Sequence, residues 1–134
     1  MYSKPVKIAV IDNDKIYQII TSKLISKIDE NIKVLEFLDG IYAYESLSEQ
    51  LGESWPDLLL LDIEMPIMDG WEFLESFLIL QKKSNKSIPI YMVSSSIAPD
   101  DRIKANSYSE VNGYLEKPLN LEVIQKILEE QELL

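Results

Sequence analysis

Four places in the chain carry side chains that can do chemistry, and each lies just behind a short apolar run. Asp12 and Asn13 follow Val6–Ile11, and Asp62 ends the run Leu58-Leu59-Leu60-Leu61. Glu64 stands two residues after Asp62, Ser94 follows Ile90–Val93, and Lys117 follows Val111–Leu115 and precedes Pro118. Two carboxylates in one cleft repel, and one takes up a proton unless a cation intervenes. Hard oxygen ligands favour Mg²⁺, which keeps some of its waters and bridges to phosphate. Lys117 would add a positive charge on a flexible stem, suited to a phosphoryl oxygen. Ser94 offers a hydroxyl donor. A carboxylate nucleophile, Mg²⁺, a lysine and a hydroxyl can together receive and stabilise a transferred phosphoryl group.

Such a site exists only if the chain brings these positions together. Val6–Ile11 and Lys33–Phe37 read as strands rich in β-branched and apolar residues. The leucine run is continuous and bounded by turn residues, the signature of a strand buried on both faces. Ile90–Val93 and Val111–Leu115 supply a fourth and a fifth strand. Between them lie helical patterns. Ile16, Ile19, Ile20, Leu24 and Ile28 fall on one face of a first helix, expected to face the core. Asp14 is expected to cap its start. Asp39 is a plausible N-cap for a second helix over 41–51, with Gly52 as its stop. Trp71, Leu74, Phe77 and Leu78 mark a third, whose pattern dissolves into Lys82-Lys83-Ser84-Asn85-Lys86-Ser87, expected to be a solvated loop. Asp69, Gly70 and Gly113 read as cap or turn residues. Pro99 opens a fourth helix reaching about Asn106. Leu121, Ile124, Ile127 and Leu128 mark a fifth.

Strand and helix alternate five times, which implies an α/β fold with a parallel sheet and helices on both faces. In a flavodoxin-like, doubly wound sheet of order 2-1-3-4-5, strands one and three are neighbours at the switch point. Asp12 and Asp62 would then be adjacent, with Ser94 and Lys117 at the same edge.

Composition narrows the function classes. The chain has 134 residues, a usual size for one domain, and 46% are hydrophobic, which argues against disorder. Its net charge of −10 argues against nucleic-acid or anionic-membrane binding. Absence of cysteine removes disulfides and thiolate metal sites, and absence of histidine removes His-dependent triads and any phosphohistidine carried by this chain. The first residues lack the apolar stretch of a signal peptide, and no run approaches the roughly 18 apolar residues of a membrane span. A cytoplasmic location is therefore expected.

Asp12, the segment Asp62-Ile63-Glu64-Met65-Pro66-Ile67-Met68-Asp69-Gly70, Ser94, and Gly113-Tyr114-Leu115-Glu116-Lys117-Pro118 together resemble the receiver domain of bacterial two-component response regulators. The resemblance covers essentially the whole chain and implies a single receiver domain over 1–134 that stands alone. By resemblance, Asp62 accepts a phosphoryl group from a phosphohistidine on a histidine kinase or histidine phosphotransfer protein. Asp12, Asn13, Asp62 and the backbone carbonyl of Glu64 hold Mg²⁺. Ser94 is the switch hydroxyl, Tyr114 the switch aromatic, and Lys117 the family's lysine, joined to Pro118 by a cis bond. Glu64 and Ser96 occupy positions that tune phosphoryl lifetime. The family usually has two carboxylates where this chain has Asp12-Asn13, so weaker Mg²⁺ binding is expected.

The resemblance further implies output through the face of the fourth helix, fifth strand and fifth helix, including Arg102, Tyr108, Tyr114 and Glu122, toward an unidentified protein partner, or relay of the phosphoryl group. Three alternatives compete with this reading. An aspartyl-phosphate hydrolase of the haloacid-dehalogenase type needs an aspartate where Glu64 stands. A pseudo-receiver would bind partners without phosphorylation. A flavodoxin needs a phosphate loop after the first strand, which is missing here.

Overall fold

No side of the leucine run is polar, and the fold covers it on both faces. The computed structural model describes residues 4–50, 52–95 and 98–134. Five strands, β1 (Lys7–Ile11), β2 (Lys33–Phe37), β3 (Leu58–Asp62), β4 (Ile90–Ser94) and β5 (Val111–Glu116), alternate with five α-helices, α1 (Lys15–Ile28), α2 (Gly40–Ser48), α3 (Gly70–Ser84), α4 (Pro99–Ser107) and α5 (Leu121–Glu130). The strands form one sheet in the order β2-β1-β3-β4-β5. Every pairing is parallel. This is the expected doubly wound architecture.

Successive residues of a strand point to opposite faces, and here both sets find apolar cover. Ala9, Ile11, Leu59, Leu61, Ile90 and Met92 pack with Leu47, Phe73, Leu74 and Phe77 of α2 and α3. Ile8, Val10, Leu58, Leu60, Tyr91 and Val93 pack with Ile25, Ile124, Ile127 and Leu128 of α1 and α5. Among the described residues no helix is long and apolar enough to cross a membrane.

Caps fix where the helices start. Asp14 accepts from the N–H groups of Ile16 and Tyr17, and Asp39 from that of Tyr42. Asp69 and Glu72 form a reciprocal capping box at α3. Asn120, not singled out from sequence, caps α5 through the N–H of Val123. Gly70 has a steric reason: a Cβ there would stand 2.4 Å from the Asp62 carbonyl oxygen and 2.8 Å from Ile63 Cα. The chain re-enters α3 directly against the end of β3, so only glycine fits.

Three expectations change. The buried residues of α1 are Gln18, Thr21 and Ile25, whereas Ile16, Ile19 and Ile20 are exposed. The cause is polar: the Gln18 amide donates to the carbonyls of Val10 (2.8 Å), Asp12 (3.2 Å) and Phe37 (3.0 Å), which anchors that face over the ends of β1 and β2. Second, Lys82–Ser84 belong to α3, which ends at Asn85 in the left-handed conformation. Lysine is a good helix former, its charge suits a helix C-terminus, and asparagine tolerates the left-handed cap. Third, α2 stops at Ser48, and Gly52 opens a short 3₁₀ turn, Gly52–Ser54, instead of ending the helix. Leu51, the expected last residue of that helix, lies outside the described residues.

Candidate functional site

Strand register delivers the carboxylates to one place. Ile11 pairs with Phe37 on one side and Leu61 on the other, so the next residues, Asp12 and Asp62, lie side by side at the switch point between β1 and β3. Asp62 pairs with Val93 and Ser94 with Glu116, which places Ser94 and Lys117 at the same edge. The backbone N–H of Lys117 donates to the Ser94 carbonyl at 2.8 Å. The Lys117–Pro118 bond is cis. Lys117 Nζ lies 2.6 Å from Asp12 Oδ2 and 3.3 Å from Asp62 Oδ1. One ammonium thus bridges two carboxylates that are only 1% and 4% exposed.

The electrostatics follow from this burial. The Asp62 carboxyl is pushed up to about 6, by desolvation first and by the Asp12 charge second. Lys117 and the backbone N–H of Glu64 oppose that shift without cancelling it. For Lys117, burial alone would lower the pKa, but its hydrogen bond to Asp12 and the charges of Asp62 and Asp12 raise it overall, so the ammonium stays charged. Asp12 Oδ1 accepts from the Asp14 N–H at 2.8 Å, and its Oδ2 faces Lys117. Two buried acids against one cation leave the cleft short of positive charge.

Ser94 is fully buried, and its hydroxyl donates to Glu64 Oε1 at 3.2 Å. Tyr114 is half-buried on β5, with the Arg102 guanidinium 5.6 Å from its ring centroid. Asn13 is exposed beside Asp12. Ser96 lies outside the described residues. Of the residues expected on the α4–β5–α5 face, Arg102 and Glu122 are exposed. Tyr108 turns instead toward α3, stacking on Trp71 and donating a hydrogen bond to Glu75. Its aromatic body is satisfied there, because Trp71 offers a flat apolar face.

Two neighbours of the site escaped the sequence reading. Tyr17 places its ring centroid 4.3 Å from Lys117 Nζ. Burial raises the pKa of its phenol, so the ring is neutral. Trp71 holds α4 by stacking on Tyr108, by its indole N–H to Asp101 Oδ1 at 3.3 Å, and by Lys104 Nζ at 4.9 Å from its ring. Counting from Asp14 as N-cap would have put Tyr17 in the first turn of α1, beside the strand ends. Nothing local to Trp71 signals its partners on α4.

The donors suit Mg²⁺. Among the described residues no group of three His, Cys, Asp or Glu side chains forms a metal cage. Asp12 and Asp62 supply two hard carboxylates in a cleft short of positive charge, and Mg²⁺ is commonly held by one or two carboxylates with waters and phosphate completing its shell.

Comparison with known proteins agrees with this geometry. The family model of the response regulator receiver domain matches residues 8–129. The chain is 29% identical over 128 residues to a probable methanogenesis regulatory protein, FilR2, of Methanothrix harundinacea, covering 94% of this chain and 81% of that protein. It spans only 12% to 25% of three longer curated relatives that it also matches. Among solved structures, a two-component response regulator from Cytophaga hutchinsonii aligns with a TM-score of 0.84 at 24% identity, over 98% of this chain and 100% of that one. The receiver domain of a sensor histidine kinase from Pseudomonas aeruginosa, described with a magnesium ion coordinated in its active site cleft, aligns with a TM-score of 0.77 at 22% identity, over 96% and 98% of the two chains. At these identities the structural likenesses show the fold.

Proposed function

The chain belongs to the response regulator receiver domain family of two-component signalling, and on that premise we propose that Asp62 is its phosphoacceptor. A carboxylate oxygen of Asp62 attacks the phosphorus of a phosphohistidine on a histidine kinase or phosphotransfer protein. The P–O bond forms as the P–N bond breaks, and the imidazole leaves with its electron pair. The observation that carries the reading is the single ammonium of Lys117 bridging Asp12 and Asp62 in a buried cleft. Lys117 holds negative charge at the place where phosphoryl oxygens would gather. Asp12, Asp62, Asn13 and the Glu64 carbonyl would hold Mg²⁺, which when bound supplies further positive charge against the phosphoryl group.

Ser94 and Tyr114 carry the switch. A phosphoryl oxygen competes with Glu64 for the Ser94 hydroxyl, and Tyr114 follows Ser94 inward. The change biases an existing equilibrium of the α4–β5–α5 face toward binding a downstream protein, or the phosphoryl group is relayed onward. The reading takes 1–134 as one receiver domain acting in the cytoplasm. It catalyses only its own phosphorylation and dephosphorylation. The acidic charge of −10 supports a protein partner over nucleic acid or an anionic membrane.

The test is incubation with acetyl phosphate and Mg²⁺, read by intact-mass spectrometry, with Asp62→Asn as control. One acid-stable, base-labile phosphoryl group on the wild type and none on the variant is the expected result. A protein that is never labelled, and shows no spectral response to beryllofluoride, is a phosphorylation-independent binding module. Turnover of small phosphoesters would make it a hydrolase.

A further inference from the structure

Lys117 has three close neighbours, and the role of the third follows from the chemistry of lysine. An ammonium is a compact, strongly hydrated charge on a flexible four-carbon stem. Left to itself it swings toward water. Here its side chain is only 15% exposed. Asp12 and Asp62 hold it at 2.6 and 3.3 Å. The ring of Tyr17 faces it at 4.3 Å. Tyr17 reaches this position because Asp14 caps α1 and accepts from the Tyr17 N–H at 3.1 Å, fixing the first turn beside the strand ends. Its ring lines the same cleft as Asp12, Asp62, Thr21 and Leu119.

We propose that Tyr17 is a positioning residue for Lys117, its ring face keeping the ammonium in the cleft before and after phosphoryl transfer. The inference rests on the phosphoacceptor reading of Asp62. Transfer moves negative charge outward from the Asp62 carboxylate to the phosphoryl oxygens. A lysine held only by carboxylates would follow that charge or be lost to solvent. An aromatic face attracts a cation within about 6 Å of its centroid without a fixed donor–acceptor line. Nζ can therefore slide toward the phosphoryl group while the ring still excludes water from its far side. The hydroxyl of Tyr17 is not required for this, but the π face is.

The test compares Tyr17→Phe, which keeps the face, with Tyr17→Leu, which keeps an apolar side chain and loses it. Two readouts are used. The first is the ring-current shift of the Lys117 Cε resonance by NMR, assigned with Lys117→Arg. The second is the rate of Asp62 labelling by acetyl phosphate with Mg²⁺. Wild type and Tyr17→Phe should show the shifted resonance and similar rates. Tyr17→Leu should lose the shift and label about three- to tenfold more slowly, the range expected for a partly desolvated cation–π contact. Wild-type labelling in Tyr17→Leu overturns the proposal. So does equal slowing in both variants, which would place the effect in the hydroxyl. If the wild type itself is never labelled, the phosphoacceptor reading fails. The Lys117 resonance then separately reports whether Tyr17 holds the ammonium.

Discussion

Ser94 and Glu64 are joined across the tips of β4 and β3 by a hydrogen bond from the serine hydroxyl to the glutamate carboxylate, 3.2 Å long. Under the proposed mechanism this carboxylate competes with a phosphoryl oxygen for the same hydrogen. Glu64→Ala removes the competitor and leaves the backbone carbonyl at position 64 in place. Glu64 is exposed, so the net worth of the bond is about 1 kcal/mol or less. Beryllofluoride should bind the variant roughly two- to fivefold more tightly than wild type in a fluorescence titration, a range set by that net worth. Unchanged or weaker binding would show that the bond does not restrain the switch.

Asp62 makes stability depend on pH. Its carboxyl titrates near 6 in the folded chain, against 3.8 in the reference state. The folded state therefore binds the proton more tightly than the unfolded state. Below the unfolded value both states are protonated and Asp62 carries no penalty. Stability is lost as pH rises through the window from 3.8 to about 6, and above it the full cost remains. The shift corresponds to roughly 3 kcal/mol at most. Asp62→Asn should melt near wild type at the acid end and clearly above it at neutral pH without metal. Saturating Mg²⁺ should narrow the gap by stabilising only the wild type. Parallel pH profiles for the two proteins would rule out Asp62 as the source.

Under the proposed reading, Asn13 sets the charge beside the carboxylates that would hold Mg²⁺. Asn13→Asp adds one negative charge beside Asp12 and should tighten Mg²⁺ binding by about three- to tenfold, as expected for a nearby charge screened by solvent. Isothermal titration calorimetry measures this directly. Equal affinity in the two proteins would mean that position 13 takes no part in holding the ion.

Gly70 is fixed by contact with backbone, not by conformation. In Gly70→Ala the new methyl would meet the Asp62 carbonyl oxygen at 2.4 Å, and neither chain segment can rotate away. A loss of about 2–4 kcal/mol in urea denaturation is expected for such overpacking. Labelling of Asp62 should fall as well, because the displaced atoms belong to the backbone of the proposed phosphoacceptor. A variant of wild-type stability would contradict the close approach of α3 to β3.

Much of the architecture was legible in the chain. Four leucines ending in Asp62 read as a strand buried on both faces because no side of the run is polar. Alternation with helical patterns then fixed a parallel sheet, whose strand ends must share one edge. Asp14, Asp39 and Asp69 announced helix starts because capping is local chemistry within one turn. Reading α1 by hydrophobicity failed for a definite reason. Ile16, Ile19 and Ile20 look like a core stripe, yet Gln18 occupies the interior because three carbonyls at the ends of β1 and β2 accept its amide. Lys82 and Lys83 resemble a loop by charge, yet their helix propensity keeps them in the last turn of α3.

By itself, then, the sequence determined the residue types at the strand ends, the order of elements and hence the edge where Asp12, Asp62, Ser94 and Lys117 meet. Those follow from periodicity and connectivity, which are properties of the chain. Only the tertiary structure decided that one lysine spans both carboxylates, that its ammonium lies over the Tyr17 ring, that Glu64 holds the Ser94 hydroxyl, and that Trp71 and Tyr108 bind α4 to α3. Each of these joins residues from separate elements, and their distances depend on strand register, helix phase and side-chain packing that no local pattern encodes.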